Sequence, residues 1–121
     1  MNQETAITFT CEGINCQVKE NFDDNEYFGY VQIPSSHPWY TKENKIEISI
    51  ETKIRYNIFD GEEHWIGFEG QNDLEFTIKN CKAICLQLLY VTEGPYAIAK
   101  RMIGIKNYLE LKIVETISLY D

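Results

Sequence analysis

The sequence predicts an α+β domain: a curved antiparallel sheet of about five strands, an amphipathic helix packed on one face, and a C-terminal extension. Three observations carry this. Apolar and polar residues alternate through residues 5–18 and again through 46–56, the period of a strand with one buried face. Glycine, asparagine and aspartate interrupt those runs at Glu12-Gly13, Asn21–Glu26 and Asp60-Gly61, as hairpin turns require. From Asp73 onward the apolar spacing changes to three and four, which is helical.

In chain order, Ile7, Phe9 and Cys11 share one face, Glu12-Gly13 turns the chain, and Ile14, Cys16 and Val18 resume the alternation. The stretch Tyr27–Ile33 is apolar or aromatic on both faces, which predicts an interior strand. Gly29 within it marks a bulge or a close backbone neighbour, and Pro34 ends it. Residues 35–44 form an irregular connection anchored by Trp39 and Tyr40. Ile46–Tyr56 is the most regular stretch, with Ile46, Ile48, Ile50, Ile54 and Tyr56 on one parity and Glu47, Ser49, Glu51, Lys53 and Arg55 on the other. It is expected to be the long central or next-to-central strand. His64–Phe68 returns after the Asp60-Gly61 turn. Leu74, Ile78, Cys81, Cys85 and Leu88 then form a helical stripe, with Asp73 placed to cap it and Glu75 in its first turn. Gly94-Pro95 breaks the chain. A short helix near 96–104 is expected next, followed by an extended or second helical element.

Residues 1–121 are expected to form a single domain, mainly β and acidic over 1–75 and mainly helical and slightly basic over 76–121. The chain carries a net charge of −8. Residues 1–75 hold fifteen Asp and Glu against five Lys and Arg, a net −10, and residues 76–121 hold four against six, a net +2. An acidic surface repels nucleic acid and membranes and steers toward basic clefts. No apolar run approaches the ~20 residues that span a bilayer, and the N-terminus has neither the basic start nor the apolar stretch of a secretory signal. A location in the cytoplasm is expected. Cys11, Cys16, Cys81 and Cys85 are then expected as free thiols, since C-x4-C and C-x3-C are not the C-x2-C spacing of structural zinc.

The candidate chemistry is sparse. His37 precedes a proline in a loop, where fixing the loop competes with a role as a base. His64 follows Glu62 and Glu63, which suggests either a His–carboxylate dyad or charge on an edge strand. Glu69 and Asp73, near Asn72 and Glu75, are weak candidates for a divalent-metal site, against helix capping as the simpler use. Arg55, Trp65 and Arg101 are candidates for binding a phosphate and stacking a base, against pairing of Lys53 and Arg55 with Glu62 and Glu63 across strands. Two acidic turns, Asp23, Asp24 and Glu26 in one and Asp60, Glu62 and Glu63 in the other, are candidates for partner binding if they converge. No P-loop or dinucleotide glycine fingerprint is present, no catalytic constellation is assembled, and no cofactor is expected.

Gly13, Cys16 and Val18, then Gly29-Tyr30-Val31, Ile33-Pro34, His37-Pro38 and Tyr40, then Ile54, Tyr56, Trp65, Gly67 and Phe68, and finally Phe76, Cys81, Gln87 and Leu88 form a pattern. Over about residues 7–89 it resembles a family of small proteins encoded by phages and prophages of Firmicutes. That family shares the motifs G-Y-V-x-V-P-x-x-H-P-x-Y-G, H-G-G-L-T-Y and W-W-x-G-F-D. Glu51-Thr52-Lys53 stands where the family has H-G-G, Glu69 where it has aspartate and Asn72 where it has a histidine. The resemblance implies a phage origin. With the acidic charge, it gives the leading expectation: a non-enzymatic inhibitor of a host defence protein, most concretely an anti-CRISPR protein whose acidic turns occupy a nucleic-acid cleft of a CRISPR effector. The alternatives are a sponge for a nucleotide immune messenger and a divalent-metal hydrolase on Glu69 and Asp73. Residues 96–121 are a candidate homodimer surface.

Overall fold

The computed structural model describes residues 3–42 and 48–106, with side chains as far as residue 94. The chain forms two compact units, residues 1–88 and residues 89–121. The first is the α+β domain that the alternation predicts. Its five strands are β1 (Gln3–Cys11), β2 (Ile14–Asn21), β3 (Glu26–Gln32), β4 (Ile54–Asp60) and β5 (Glu63–Gln71), all antiparallel in the order β1-β2-β3-β5-β4. Helix α1 begins at Leu74 and runs to Lys106, broken at Gly94 (φ 82, ψ 173).

Turn chemistry sets the hairpins. Glu12 and Gly13 both adopt positive φ, 53 and 78, the left-handed pair that suits a two-residue hairpin between twisted strands. Gly61 does the same for the β4–β5 turn at φ 62. The β2–β3 turn is held internally: the Asp23 N–H donates to Asn21 Oδ1 at 3.1 Å, and Asn21 Nδ2 donates to Asp24 Oδ2 at 3.3 Å.

One sheet face is covered by the first turns of α1. Ile14, Cys16, Val18, Val31, Ile33, Ile66 and Phe68 are buried there with Cys81, Ile84, Cys85 and Leu88 of the helix. The stripe at three and four residues thus meets alternate residues of three strands. Asp73 caps the helix as its position predicts, its Oδ1 accepting from the Phe76 N–H at 3.0 Å. The close approach explains Gly29: a Cβ there would lie 2.6 Å from Phe68 Cε1 and 2.9 Å from Cys81 Sγ.

The expectation for Ile46–Tyr56 is corrected. Residues 46 and 47 lie outside the described residues, 48–53 are not strand, and β4 begins only at Ile54 and occupies an edge. The reason is where the backbone donors go. The Ser49 N–H donates to Gln87 Oε1 at 2.8 Å and the Glu51 N–H to Asn80 Oδ1 at 3.0 Å. Helix side chains therefore take bonds that a neighbouring strand would otherwise take. The central position falls instead to β3, an interior strand as its two apolar faces predict.

Both histidines fasten the connection between β3 and β4. His37 Nδ1 accepts from the Trp39 N–H at 3.0 Å, which leaves Nε2–H to donate to the Leu88 carbonyl at 2.8 Å. His64 Nδ1 accepts from the Thr41 N–H at 3.0 Å, so its Nε2–H donates to Asn57 Oδ1. His64 is therefore neither an edge-strand charge nor half of a carboxylate dyad; it is 0 % exposed and its ring is paired with an amide. Burial lowers its pKa, and a proton on Nδ1 would face the Thr41 N–H. The unfolded chain takes up that proton near pH 6.5 while the folded chain resists it, so stability is full above that pH and falls as pH drops below it. Thermal melts from pH 7.5 to 5 should show a declining midpoint in the wild type and a flatter profile in His64→Gln. A wild-type midpoint that does not move would contradict the neutral ring.

In the second unit, helix continues through residue 106 and the Gly94-Pro95 break appears as the positive φ at Gly94. The side chain of Arg101 and residues 107–121 lie outside the described residues, as does the expected dimer surface.

Candidate functional site

The face of the sheet opposite α1 is open and polar. Alternation along each strand sends Gln3 and Thr5 of β1, Gln17 and Lys19 of β2 and Tyr30 of β3 to this side, with Trp65 of β5 and Ile58 and Asp60 of β4. Together with Glu63 these line a hollow of about 520 Å³ drawn from all five strands. Tyr30 lies over Gly67, where a Cβ would come within 2.6 Å of the ring. Its hydroxyl donates to Gln3 Oε1 at 3.0 Å, and Lys19 Nζ sits 5.2 Å from the ring centroid. Tyr56 flanks this floor, 6.1 Å from Tyr30 and 6.3 Å from Phe28 between centroids. Burial, reinforced by the Glu69 carboxylate, raises the Tyr56 pKa.

At the other end of the hollow Trp65 Nε1–H donates to Glu63 Oε1 at 2.8 Å. The register pairs Ile58 with Trp65 and Asp60 with Glu63. Two carboxylates directly opposite each other destabilise a hairpin unless a cation joins them. Among the described residues none of Asp60, Glu62 and Glu63 has a cationic partner. Ile58 and Phe59, in the same hairpin, are 40 % and 44 % exposed.

The two acidic turns do not converge. Tyr27 pairs with Gln71 and Gln32 with Trp65, so Asp23, Asp24 and Glu26 sit at one end of the ladder and Asp60, Glu62 and Glu63 at the other, roughly 20 Å apart at ~3.3 Å per residue. They also differ in character. Asp24 is engaged by Asn21 inside its own turn, whereas the second turn adjoins the hollow. Of the other candidates, Trp65 lines the hollow, but Arg55 turns to Glu69, Nε to Oε2 at 3.9 Å. Arg55 sits at an irregularity between Ile54 and Tyr56, which brings it beside Glu69 rather than Glu62 or Glu63, contrary to the expected pairing. Glu69 also accepts from the Tyr56 hydroxyl at 3.3 Å, and Asp73 is the helix cap. Among the described residues no three His, Cys, Asp or Glu side chains are placed to hold a metal ion.

The chain matches no family model, no curated protein and no solved structure.

A feature that sequence spacing only half disclosed is the meeting of all four thiols. Cys81 and Cys85 share the helix face, and Cys16 Sγ lies 3.4 Å from Cys85 Sγ. Hydrogen bonds from Cys81 and Cys85 lower the Cys16 pKa, and Cys16 raises both of theirs in return. Burial, with the neighbouring Cys16, raises the half-exposed Cys11. All four are free. In the native protein an aromatic disulfide reagent at pH 8 should therefore label Cys11 alone and slowly, with the other three reacting only after denaturation. Rapid labelling of several thiols without denaturant would show that the cluster is open. Lys19, Tyr30, Gln3 and Gln17 were not among the sequence candidates, because the strand order that gathers them is not visible in the alternation. No described helix is long and apolar enough to cross a membrane.

Proposed function

We propose that this is a phage-encoded, non-enzymatic inhibitor that binds and blocks a host defence protein in the bacterial cytoplasm, most concretely an anti-CRISPR protein that occupies a nucleic-acid cleft of a CRISPR effector. The observation that carries this reading is the β4–β5 hairpin, where Asp60, Glu62 and Glu63 lack a cationic partner among the described residues beside exposed Ile58 and Phe59 and half-buried Trp65. Carboxylates in that setting attract a basic groove over long range, while aromatic and apolar neighbours supply the contacts that hold a partner. The net −10 of residues 1–75 points the same way, and the phage origin proposed here rests on the motif resemblance alone.

The separation of the two acidic turns along the ladder favours a contact through one of them. The β4–β5 hairpin is the contact, and the Asn21–Glu26 turn is a self-contained structural element. A sponge for a nucleotide messenger is favoured less, because Arg55 is drawn to Glu69 and the hollow carries two carboxylates against the single Lys19. Cleavage of target DNA by purified effector, with and without this protein, tests the proposal across a panel of CRISPR effectors. Inhibition of one of them that rising concentrations of guide–target nucleic acid relieve supports it. Unimpaired cleavage by every effector removes the anti-CRISPR reading.

A further inference from the structure

The hollow on the open sheet face has two unlike ends. At the Tyr30 end the cation is already supplied, since Lys19 Nζ lies 5.2 Å from the ring centroid. The Trp65 end lies on β5, separated from β2 by β3, roughly 10 Å across the sheet at ~4.8 Å per strand. Here the Glu63–Trp65 hydrogen bond of 2.8 Å orients ring and carboxylate together, and Asp60 stands opposite Glu63 in the ladder. This end therefore offers an aromatic ring and two adjacent acceptors, and among the described residues no cation is paired with them.

We propose that the Trp65 end of the hollow receives an arginine side chain from the partner protein. A guanidinium is flat, stacks on an indole and spreads five N–H donors in a fork that matches carboxylates. A lysine ammonium matches the charge but has neither the flat face nor the fork. The apolar stem of the incoming side chain lies along Ile58, which lines the hollow and pairs with Trp65. An arginine that serves a nucleic-acid cleft meets a phosphate and a base face. Here Asp60 and Glu63 stand in for the phosphate and Trp65 for the base. The net charge of −8 draws such a side chain inward and repels a free nucleotide. This inference rests on the proposed reading of a basic protein partner and names the residue type that the hollow selects.

Calorimetry on the full chain at low ionic strength tests it with three probes: an arginine-rich peptide, a lysine-rich peptide of equal length and charge, and guanosine monophosphate. The arginine peptide should bind about tenfold more tightly than the lysine peptide. Asp60→Asn with Glu63→Gln should weaken it by about tenfold, and Asp23→Asn with Asp24→Asn by less than about twofold. Trp65→Leu should erase the preference for arginine over lysine. If circular dichroism shows that this variant does not fold, the exposed Asp60 and Glu63 changes carry the test. Equal affinity for the two peptides, indifference to the Asp60 and Glu63 changes, or binding of the nucleotide in place of the arginine peptide would overturn the assignment. The inhibition assay separates the two levels. Inhibition that survives loss of arginine selectivity removes this inference alone, and arginine binding without inhibition of any effector removes the anti-CRISPR reading alone.

Discussion

Gly70→Ala will destabilise the protein by about 3 kcal/mol, at the upper end of what overpacking a close contact costs. Gly70 ends the buried part of β5, and α1 starts four residues later. A Cβ at Gly70 would collide with Thr77 Oγ1 and lie 2.8 Å from Thr77 Cβ and 3.0 Å from Thr77 Cγ2. Thr77 cannot swing away cheaply. It is 0 % exposed, and its hydroxyl donates to the Asp73 carbonyl at 2.7 Å in the first turn of the helix. The added methyl must therefore shift the helix start or break that bond. Denaturant titration of Gly70→Ala reads the loss directly. The double variant Gly70→Ala/Thr77→Ala should recover part of it, because the collision with Oγ1 goes while the Cβ contact stays. A single variant as stable as the wild type would mean that the helix start stands further from the sheet than 2.8 Å implies.

The largest functional effect is expected at the β4–β5 hairpin. If the proposed inhibition holds, changing Asp60, Glu62 and Glu63 together to lysine should weaken it by about a hundredfold or more, since like charges would then face the basic surface proposed for the partner. All three are exposed and none anchors the core through its side chain, so the thermal midpoint should stay close to that of the wild type. Reversing Asp23 and Asp24 should do the opposite. The proposed inhibition should survive, while stability drops modestly because Asp24 no longer accepts from Asn21. Inhibition titrations and melts of the two variants side by side give the answer. Equal loss from both would restore a footprint along the whole length of the sheet, and no loss from the hairpin variant would defeat the acidic-contact reading.

The parts of this structure that were legible in the sequence are those written in local chemistry. Gly13 and Gly61 announce their turns because left-handed backbone is cheap for glycine and for few other residues. Asp73 announces a helix start because it can accept from a free N–H three residues on. Residues 48–53 misled for a physical reason: alternation reports which side chains prefer burial, not which groups satisfy the backbone, and Asn80 and Gln87 lie some thirty-eight residues or fewer further on. His64 looked exposed beside Glu62 and Glu63, yet Thr41 and Asn57 enclose its ring from two other segments. The hollow was hidden for the same reason, since a strand order that inserts β5 between β3 and β4 leaves no local trace. Trp65 was legible as a candidate, and the lysine, tyrosine and amides that share its hollow were not.

The fastening of the two imidazoles ties the connection between β3 and β4 to the rest of the fold at two points. The chain has two histidines, and each ring already spends one nitrogen on a main-chain N–H and the other on an oxygen. Neither can give up a nitrogen without releasing the loop it secures. Losing either ring would therefore cut the β3–β4 connection loose from a second segment, the Leu88 carbonyl of the helix for His37 and Asn57 of β4 for His64.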